Sequence, residues 1–406
     1  MLRKVVATGL AAILIISLCA ACDLRSGASQ TAGTRLLTQT PCDKWQAIDI
    51  SNGGGETGVL TSLAFVQSSD IWVSGSLSTT DRKQAVFHHW NGTAWQVVSS
   101  PNGDGYTNIS AMSAVNHDDV WAVGTVDQGL SAQTFIVHWD GRSWHQVPSP
   151  NPGTTESRLS SVTMNASNDG WAVGYYKEGG EQYKPLIIHW NGRSWSQVPA
   201  PQIASSKALL LGVTSLASNN AWAVGKYEGD GDLYIDNPLL LHWNGQAWQR
   251  VSITNAVKGV ALYAITSASS TDLWAVGEYY SNPPLGAIMH WDGKSWNTIY
   301  GTSAADGGLY GVTAISKSNV WTVGYRREGS DQKPTVRHWN GSSWSDVSSP
   351  TPLAENGFNG VVKDSDGGVW AVGQSFKSID DPEYGLIAHF TGTPCHTPTS
   401  TPVSAP

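Results

Sequence analysis

The sequence predicts an all-β chain, a seven-bladed β-propeller of four-stranded antiparallel blades whose ring is closed by the N-terminal strand. Three observations carry that expectation: a tryptophan motif that recurs seven times, a turn-rich and charge-poor composition, and an outer-strand pattern missing from the last repeat but present ahead of the first. A period near 50 residues with aromatic-rich alternating strands is how blades around an axis read in sequence.

The motif begins at Trp72-Val73-Ser74-Gly75 and returns at Trp121, Trp171, Trp222, Trp274, Trp321 and Trp370, with gaps of 49, 50, 51, 52, 47 and 49 residues. A His-Trp pair follows each time, at His89, His138, His189, His242, His290 and His338, with His389-Phe390 in the last repeat. The repeat around Trp171 predicts strands over 159–164, 170–175, 184–190 and 194–198, running from inner to outer. A polar turn joins the first two, with Asp or Asn two places before the Trp in six repeats (Asp70, Asp119, Asp169, Asn220, Asp272, Asn319). Asn-Gly or Asp-Gly joins the last two in six repeats, a pair that tolerates the positive φ of a hairpin turn. Both tight turns therefore share a face. Ten places before each Trp stands a small residue (Ser62, Ala111, Ser161, Gly212, Ala264, Gly311, Gly360), as strands crowding an axis require.

Repeat seven stops at Cys395 without an outer strand, while the stretch from Cys42 through Trp45 to Ile48 has that pattern with no repeat before it. The N-terminal strand is expected to complete blade seven and remove the exposed edges. Cys42 and Cys395 flank that junction and are expected to form a disulfide in an oxidising compartment.

Charged residues are 14% of 406, against a usual ~25%, with 43 Gly, 20 Trp and a net charge of −8. Such a balance excludes a nucleic-acid partner, which needs clustered Lys and Arg. Residues 1–22 form an export signal, with Arg3 and Lys4, an apolar run over 5–18, and Ala20-Ala21 before Cys22. Leu18-Cys19-Ala20-Ala21-Cys22 resembles the bacterial lipoprotein signal, which implies lipidation of Cys22 and an extracytoplasmic location, with plain secretion as the alternative. No later stretch reaches the ~18 apolar residues of a membrane span, so membrane contact is expected through the lipid alone. Residues 23–41 read as a flexible linker, 42–396 as the propeller and 397–406 as a disordered tail.

Over 42–395 the chain resembles bacterial secreted or lipoprotein seven-bladed propellers of the broad kelch and BNR-like kind, sometimes labelled galactose-oxidase-like. The double glycine of kelch repeats is missing after Gly124 and its equivalents, and only the Asn/Asp-Gly-x-x-Trp half of the BNR motif is present. The resemblance thus speaks to architecture. Copper-radical chemistry would need a free cysteine, and Cys42 and Cys395 are committed elsewhere; the arginines form no sialidase-like triad.

Three aromatic slots per repeat, one filled by Phe390, account for all 20 tryptophans, so they read as packing between sheets rather than a sugar platform. The seven histidines of the His-Trp pairs fall in separate blades and cannot converge on one ion; their rings are expected to bond to neighbouring backbone or the next blade. His88, His117, His145 and His396 show no ligand spacing, and no cofactor is expected. Glu228, Asp230, Asp232 and Asp236 are spaced as calcium ligands often are but lack the loop of an EF-hand, and read as a solvated acidic loop with calcium as the weaker alternative.

The connections opposite the tight turns are longer and irregular, the usual seat of binding on a rigid scaffold. The residue four after each motif Trp, expected to end the second strand there, varies: Ser76, Thr125, Tyr175, Lys226, Glu278, Tyr325 and Gln374. Tyr175, Lys226, Glu278 and Tyr325, with Tyr263 and Tyr310 at the start of inner strands five and six, form the candidate ligand site, and Tyr176, Tyr227, Tyr279 and Arg326 beside them extend the rim. The expected function is a monomeric ligand-binding or assembly module for a glycan, peptide or protein; the alternative is an extracellular carbohydrate-active enzyme using Glu278 or Asp230.

Overall fold

The computed structural model describes residues 45–48, 58–78, 83–229, 236–253, 258–281, 284–300, 307–329, 331–349, 355–376 and 384–391. The chain divides into two units between Pro41 and Cys42, and all described residues lie in the second. Cys22, Cys42 and Cys395 lie outside the described residues, and with them the lipidation and disulfide expectations. The described chain is all-β: five sheets of four strands and one of eight, the latter being two four-stranded meanders joined by a parallel bridge between Glu156 and Ala132. Among these residues no helix is long and apolar enough to cross a membrane.

Blade three runs Glu156–Ala166, Asp169–Gly179, Gln182–Trp190 and Trp195–Gln197, in the expected order. Its second strand does not stop at Tyr175 but continues to Gly179, because the ladder keeps pairing Tyr175 with Pro185 and Lys177 with Tyr183. Polar outward residues there conceal from the sequence a strand that its backbone sustains. The same correction holds in blades four and six, where the strands reach Glu228 and Glu328. Trp45–Ile48 pairs antiparallel with Tyr384–Phe390, setting Trp45 opposite Phe390 as the outer strand of the sheet that begins with Glu355–Lys363. Trp45 is held there by Trp321, Phe358 and Phe390, with ring centroids 5.7–6.1 Å away.

Between sheets the motif tryptophan of each of blades one to five meets both outer tryptophans of the next, and Trp321 of blade six meets Trp45 and Phe390 in the same way. Trp72 lies 4.7 Å from Trp139 and 5.2 Å from Trp144, and Trp121 lies 4.8 Å from Trp190 and 5.6 Å from Trp195. The other ring face stacks on the histidine of its own blade, 4.2 Å away for both Trp72–His89 and Trp121–His138. The histidine rings, expected from sequence to bond to neighbouring backbone or to the next blade, instead turn Nε2 toward an Asp or Asn side chain of the first turn of their own blade. Nε2 lies 2.8 Å from Asp70 and Asp119, 2.7 Å from Asp169, 3.0 Å from Asn220 and 2.9 Å from Asn319. In blade five the His290–Asp272 separation is 3.4 Å, and Asp272 takes the Trp274 indole N–H at 2.9 Å. Blade seven has Gly368 at the usual place, and Asp364 from earlier in the turn reaches His389 at 2.9 Å instead. The third-to-fourth connection packs on this same turn. Gly192, at φ +87°, would carry a Cβ only 2.9 Å from that of Asn168, which explains the glycine there.

Every inner strand shifts register at an equivalent place, between Leu60 and Ser62, Ile109 and Ala111, Leu159 and Ser161, Leu210 and Gly212, Leu262 and Ala264, Leu309 and Gly311, and Phe358 and Gly360, and all but the last shift again at the end next to the first turn. The residue passed over (Thr61, Ser110, Ser160, Leu211, Tyr263, Tyr310, Asn359) and the small one after it line a central cavity of about 350 Å³. A bulge re-aims its side chain out of the strict two-residue alternation. Crowding explains the small residues: a Cβ on Gly212 would lie 3.0 Å from the Tyr263 carbonyl of the next blade. Neighbouring inner strands are also pinned by hydrogen bonds, such as Met112 N–H to Ser62 Oγ (3.0 Å) and Asn359 Nδ2–H to the Leu60 carbonyl (2.8 Å).

Candidate binding face

At the ends opposite the tight turns, the sequence-derived candidates gather in two groups joined by one lysine. The first surrounds a cavity of about 360 Å³ on blades three and four, walled by Tyr175, Tyr183, Leu209, Lys226 and four further charged residues. Tyr175 and Lys226 hold matching places in central strands, so each backbone is locked on both sides: Tyr175 opposite Arg158 and Pro185, Lys226 opposite Leu209 and Pro238. The Tyr175 and Tyr183 rings form a corner, 5.7 Å apart at 68°. Lys226 Nζ donates to Asp236 Oδ2 at 2.9 Å, and Lys207 Nζ to Glu228 Oε1 at 2.9 Å. Glu156 accepts from Arg158 and, at 3.4 Å, from the Tyr183 hydroxyl, while Arg158 also reaches Asp127 at 2.5 Å. Burial alone would push the Lys226 amine down, but Asp236 and Tyr280 hold it above its ordinary value. Burial pushes the Tyr175 phenol up against the pull of Arg158.

The second group spans blades five and six. Tyr310 lies between Tyr263, 5.2 Å away, and Tyr325, which stacks at 5.7 Å and 18°. Glu278 is only 8% exposed, and its carboxylate accepts from the Tyr263 hydroxyl at 3.4 Å. The Tyr263 and Tyr280 hydroxyls are 3.3 Å apart, and Lys226 Nζ donates to Tyr280 at 3.4 Å, linking the groups. Burial pushes the Glu278 carboxyl up, opposed by Tyr263, Lys226 and Arg327; it also raises the Tyr263 and Tyr310 phenols, which stay neutral donors. The face thus offers phenol rings, hydroxyls and paired ions.

Several expected details are corrected. Tyr175 and Tyr325 are half-buried rather than exposed, and Ser76, Thr125 and Glu278 are buried, because these places lie within the ladders. Tyr176, Tyr227 and Tyr279 do not extend the rim: alternation turns them to the other side of the strand, where they pack against the inter-blade cores. Arg326 is occupied by Glu328 and the Pro334 carbonyl. Of the calcium candidates, Glu228 and Asp236 are each held by a lysine, and Asp230 and Asp232 lie outside the described residues. Among the described residues no group of three or more His, Cys, Asp or Glu is arranged to hold a metal. Sequence reasoning missed Glu156, Tyr183, Lys207 and Leu209; Leu209 stands opposite the candidate Lys226, whereas Glu156 and Tyr183 stand opposite Lys177, and Lys207 bridges to Tyr183, so nothing in the sequence marked those three. Tyr280 was missed too, although it stands two after Glu278 and so points to the same side.

The family model of the Rax2 C-terminal β-propeller domain matches residues 39–175. Among solved structures, one described as YCF48 bound to D1 peptide aligns over 86% of this chain and 98% of its own at 13% identity, with a TM-score of 0.55. The WD40 β-propeller domain of Doa1 aligns over 87% and 98% at 11% identity, TM-score 0.55. The fold is a β-propeller. A GH74 xyloglucanase from Xanthomonas campestris is also similar, over 84% of this chain and 55% of that one, at 11% identity and TM-score 0.53. At such identities the propeller shares architecture with these proteins and nothing finer. No curated protein matches it.

Proposed function

We propose that this propeller is an extracytoplasmic binding or assembly module of the broad kelch and BNR-like kind, monomeric, tethered through a lipid on Cys22, whose ligand docks on the open ends of blades three to six. The observation that carries the reading is the continuous surface from the cavity at Tyr175 and Lys226, through Tyr280, to Tyr263, Tyr310 and Tyr325. A scaffold that repeats itself elsewhere has no packing use for such asymmetry, whereas one ligand with unlike sides does. Ring closure by the N-terminal strand, with a Cys42–Cys395 disulfide, belongs to the same reading and is supported by the pairing of Trp45 with Phe390. The test screens purified full-length protein against glycans, peptidoglycan fragments and peptides. The double variant Tyr175→Ala, Tyr325→Ala should lose the ligand that Asn191→Ala retains; the reverse pattern would place function on the turn face. Cys22→Ser should release the protein from membranes.

A second reading, a carbohydrate-active enzyme, is favoured by the buried Glu278 carboxyl, whose raised pKa suits a general acid. The charges acting on Glu278 are the cations Lys226 and Arg327, whereas glycoside hydrolysis uses a second carboxylate ~5–9.5 Å away. Hydrolysis abolished by Glu278→Gln with binding intact would favour the enzyme.

A further inference from the structure

We infer that the cavity on blades three and four takes an uncharged saccharide, one or two sugar rings of a neutral glycan. This rests on the binding reading above and specifies its ligand class. The cavity's ionic lining is already compensated from within: Lys207 by Glu228 at 2.9 Å, Lys226 by Asp236 at 2.9 Å, and Glu156 by Arg158. An anionic ligand finds both ammonium groups engaged, and a cationic one finds each carboxylate engaged, so either must break a pair or sit in the cavity uncompensated. Hydroxyl groups face no such conflict. After these contacts, and those of Lys226 with Tyr280, Glu156 with Tyr183 and Glu228 with Ser206, each carboxylate keeps an acceptor site and each ammonium a donor, the alternation of donors and acceptors that a polyol satisfies. The corner of Tyr175 and Tyr183, with Leu209, supplies apolar walls for the C–H faces of a ring. About 360 Å³ is at the lower end of small-molecule sites, ~300–1,000 Å³. A peptide is disfavoured because the strands carrying Tyr175 and Lys226 are paired on both sides and present no edge for strand addition.

The test is calorimetric titration of the full-length protein with neutral gluco-, galacto-, manno- and xylo-oligosaccharides, alongside oligogalacturonate and chitosan oligomers. At least one neutral series should bind, with affinity unchanged between low and high salt. Tyr175→Ala and Tyr183→Ala should each weaken it tenfold or more, and Tyr183→Phe, which keeps the ring wall, much less; melting curves verify that each variant is folded. Absence of binding by every neutral series at millimolar concentration, or a salt-sensitive preference for a charged one, overturns the assignment. If a peptide or peptidoglycan hit is nevertheless lost in the Tyr175→Ala, Tyr325→Ala variant, only the ligand class has failed. Neutral binding abolished by Asn191→Ala and untouched by Tyr175→Ala overturns both.

Discussion

At the tight-turn ends of the blades one arrangement recurs seven times, a histidine lying against the motif tryptophan with ring centroids 4.0–4.5 Å apart and facing an Asp or Asn side chain, at hydrogen-bond distance (2.7–3.0 Å) in six blades and at 3.4 Å in blade five. At the open ends matching places hold Ser76, Thr125, Tyr175, Lys226, Glu278, Tyr325 and Gln374, in surroundings that range from buried to half-exposed. Repetition marks the end where side chains serve packing between sheets. Blade seven makes the point sharply, because it recovers the histidine contact with Asp364 after losing the usual acid. The requirement is therefore for an acceptor at that point in space, and the sequence position is secondary.

The contrast predicts that substitutions at the turn end cost stability while those at the open end cost binding. The largest effect is expected for Trp121→Ala, which leaves a cavity against Trp190 and Trp195 and should cost ~3–5 kcal/mol in denaturant unfolding. A loss under ~1 kcal/mol would mean that the repeated tryptophans are not what joins the sheets. Asp119→Ala should cost ~2–3 kcal/mol by orphaning the His138 ring nitrogen and the Trp121 indole N–H, which approach it at 2.8 and 2.7 Å. Burial would raise the Asp119 carboxyl, but bonds from His138, Ser167 and Trp121 outweigh it and hold the pKa below 3.8. Its contribution is thus complete above pH 3.8 and fades as pH falls through the lower folded value. Asp119→Asn should recover most of the loss, since Asn220 and Asn319 fill that role in their own blades; a loss as large as that of Asp119→Ala would show the contact to be ionic.

His88 tests the comparison from the opposite side, as a residue unique to its blade yet buried. Neither ring nitrogen has a hydrogen-bond partner among the described residues, and burial pushes its pKa from 6.5 down to about 4. The unfolded chain takes up the proton more readily between those values, so stability is intact above pH 6.5 and falls as pH drops toward 4. His88→Val, matching Val137 in blade two, should remove that slope and stabilise the protein by ~2 kcal/mol at pH 5 relative to pH 8. Equal pH slopes for both proteins would show that His88 is not the titrating group. The smallest stability effect is expected at the open end, where Tyr325→Ala gives up one stacked ring on Tyr310 and should cost ~1 kcal/mol while weakening ligand capture.

How far the chain could be read in advance follows from the same division. The seven tryptophan motifs and the Asn-Gly and Asp-Gly turns disclosed the repeat, the strand order and the turn face, because packing between equivalent sheets imposes equivalent residues. Tyr175, Lys226, Tyr263, Glu278, Tyr310 and Tyr325 could be singled out as departures from that repetition, but not how they would group. Tyr183 and Lys207 carry no motif and join Tyr175 and Lys226 only through cross-strand and cross-blade proximity.

Sequence by itself determined the period, the four-strand unit and the outer strand at Trp45, since these depend on local alternation and on spacings along the chain. Tertiary structure decided which acceptor each histidine meets, where the inner strands bulge, and that Lys226 is shared between Asp236 and Tyr280 across neighbouring blades. The histidines' hydrogen-bonded acceptors lie 19–25 residues away in their own blades and Tyr280 lies 54 from Lys226, distances bridged by how twisted strands and sheets nest around an axis, and a linear pattern holds no record of which side chains that nesting brings within hydrogen-bonding distance.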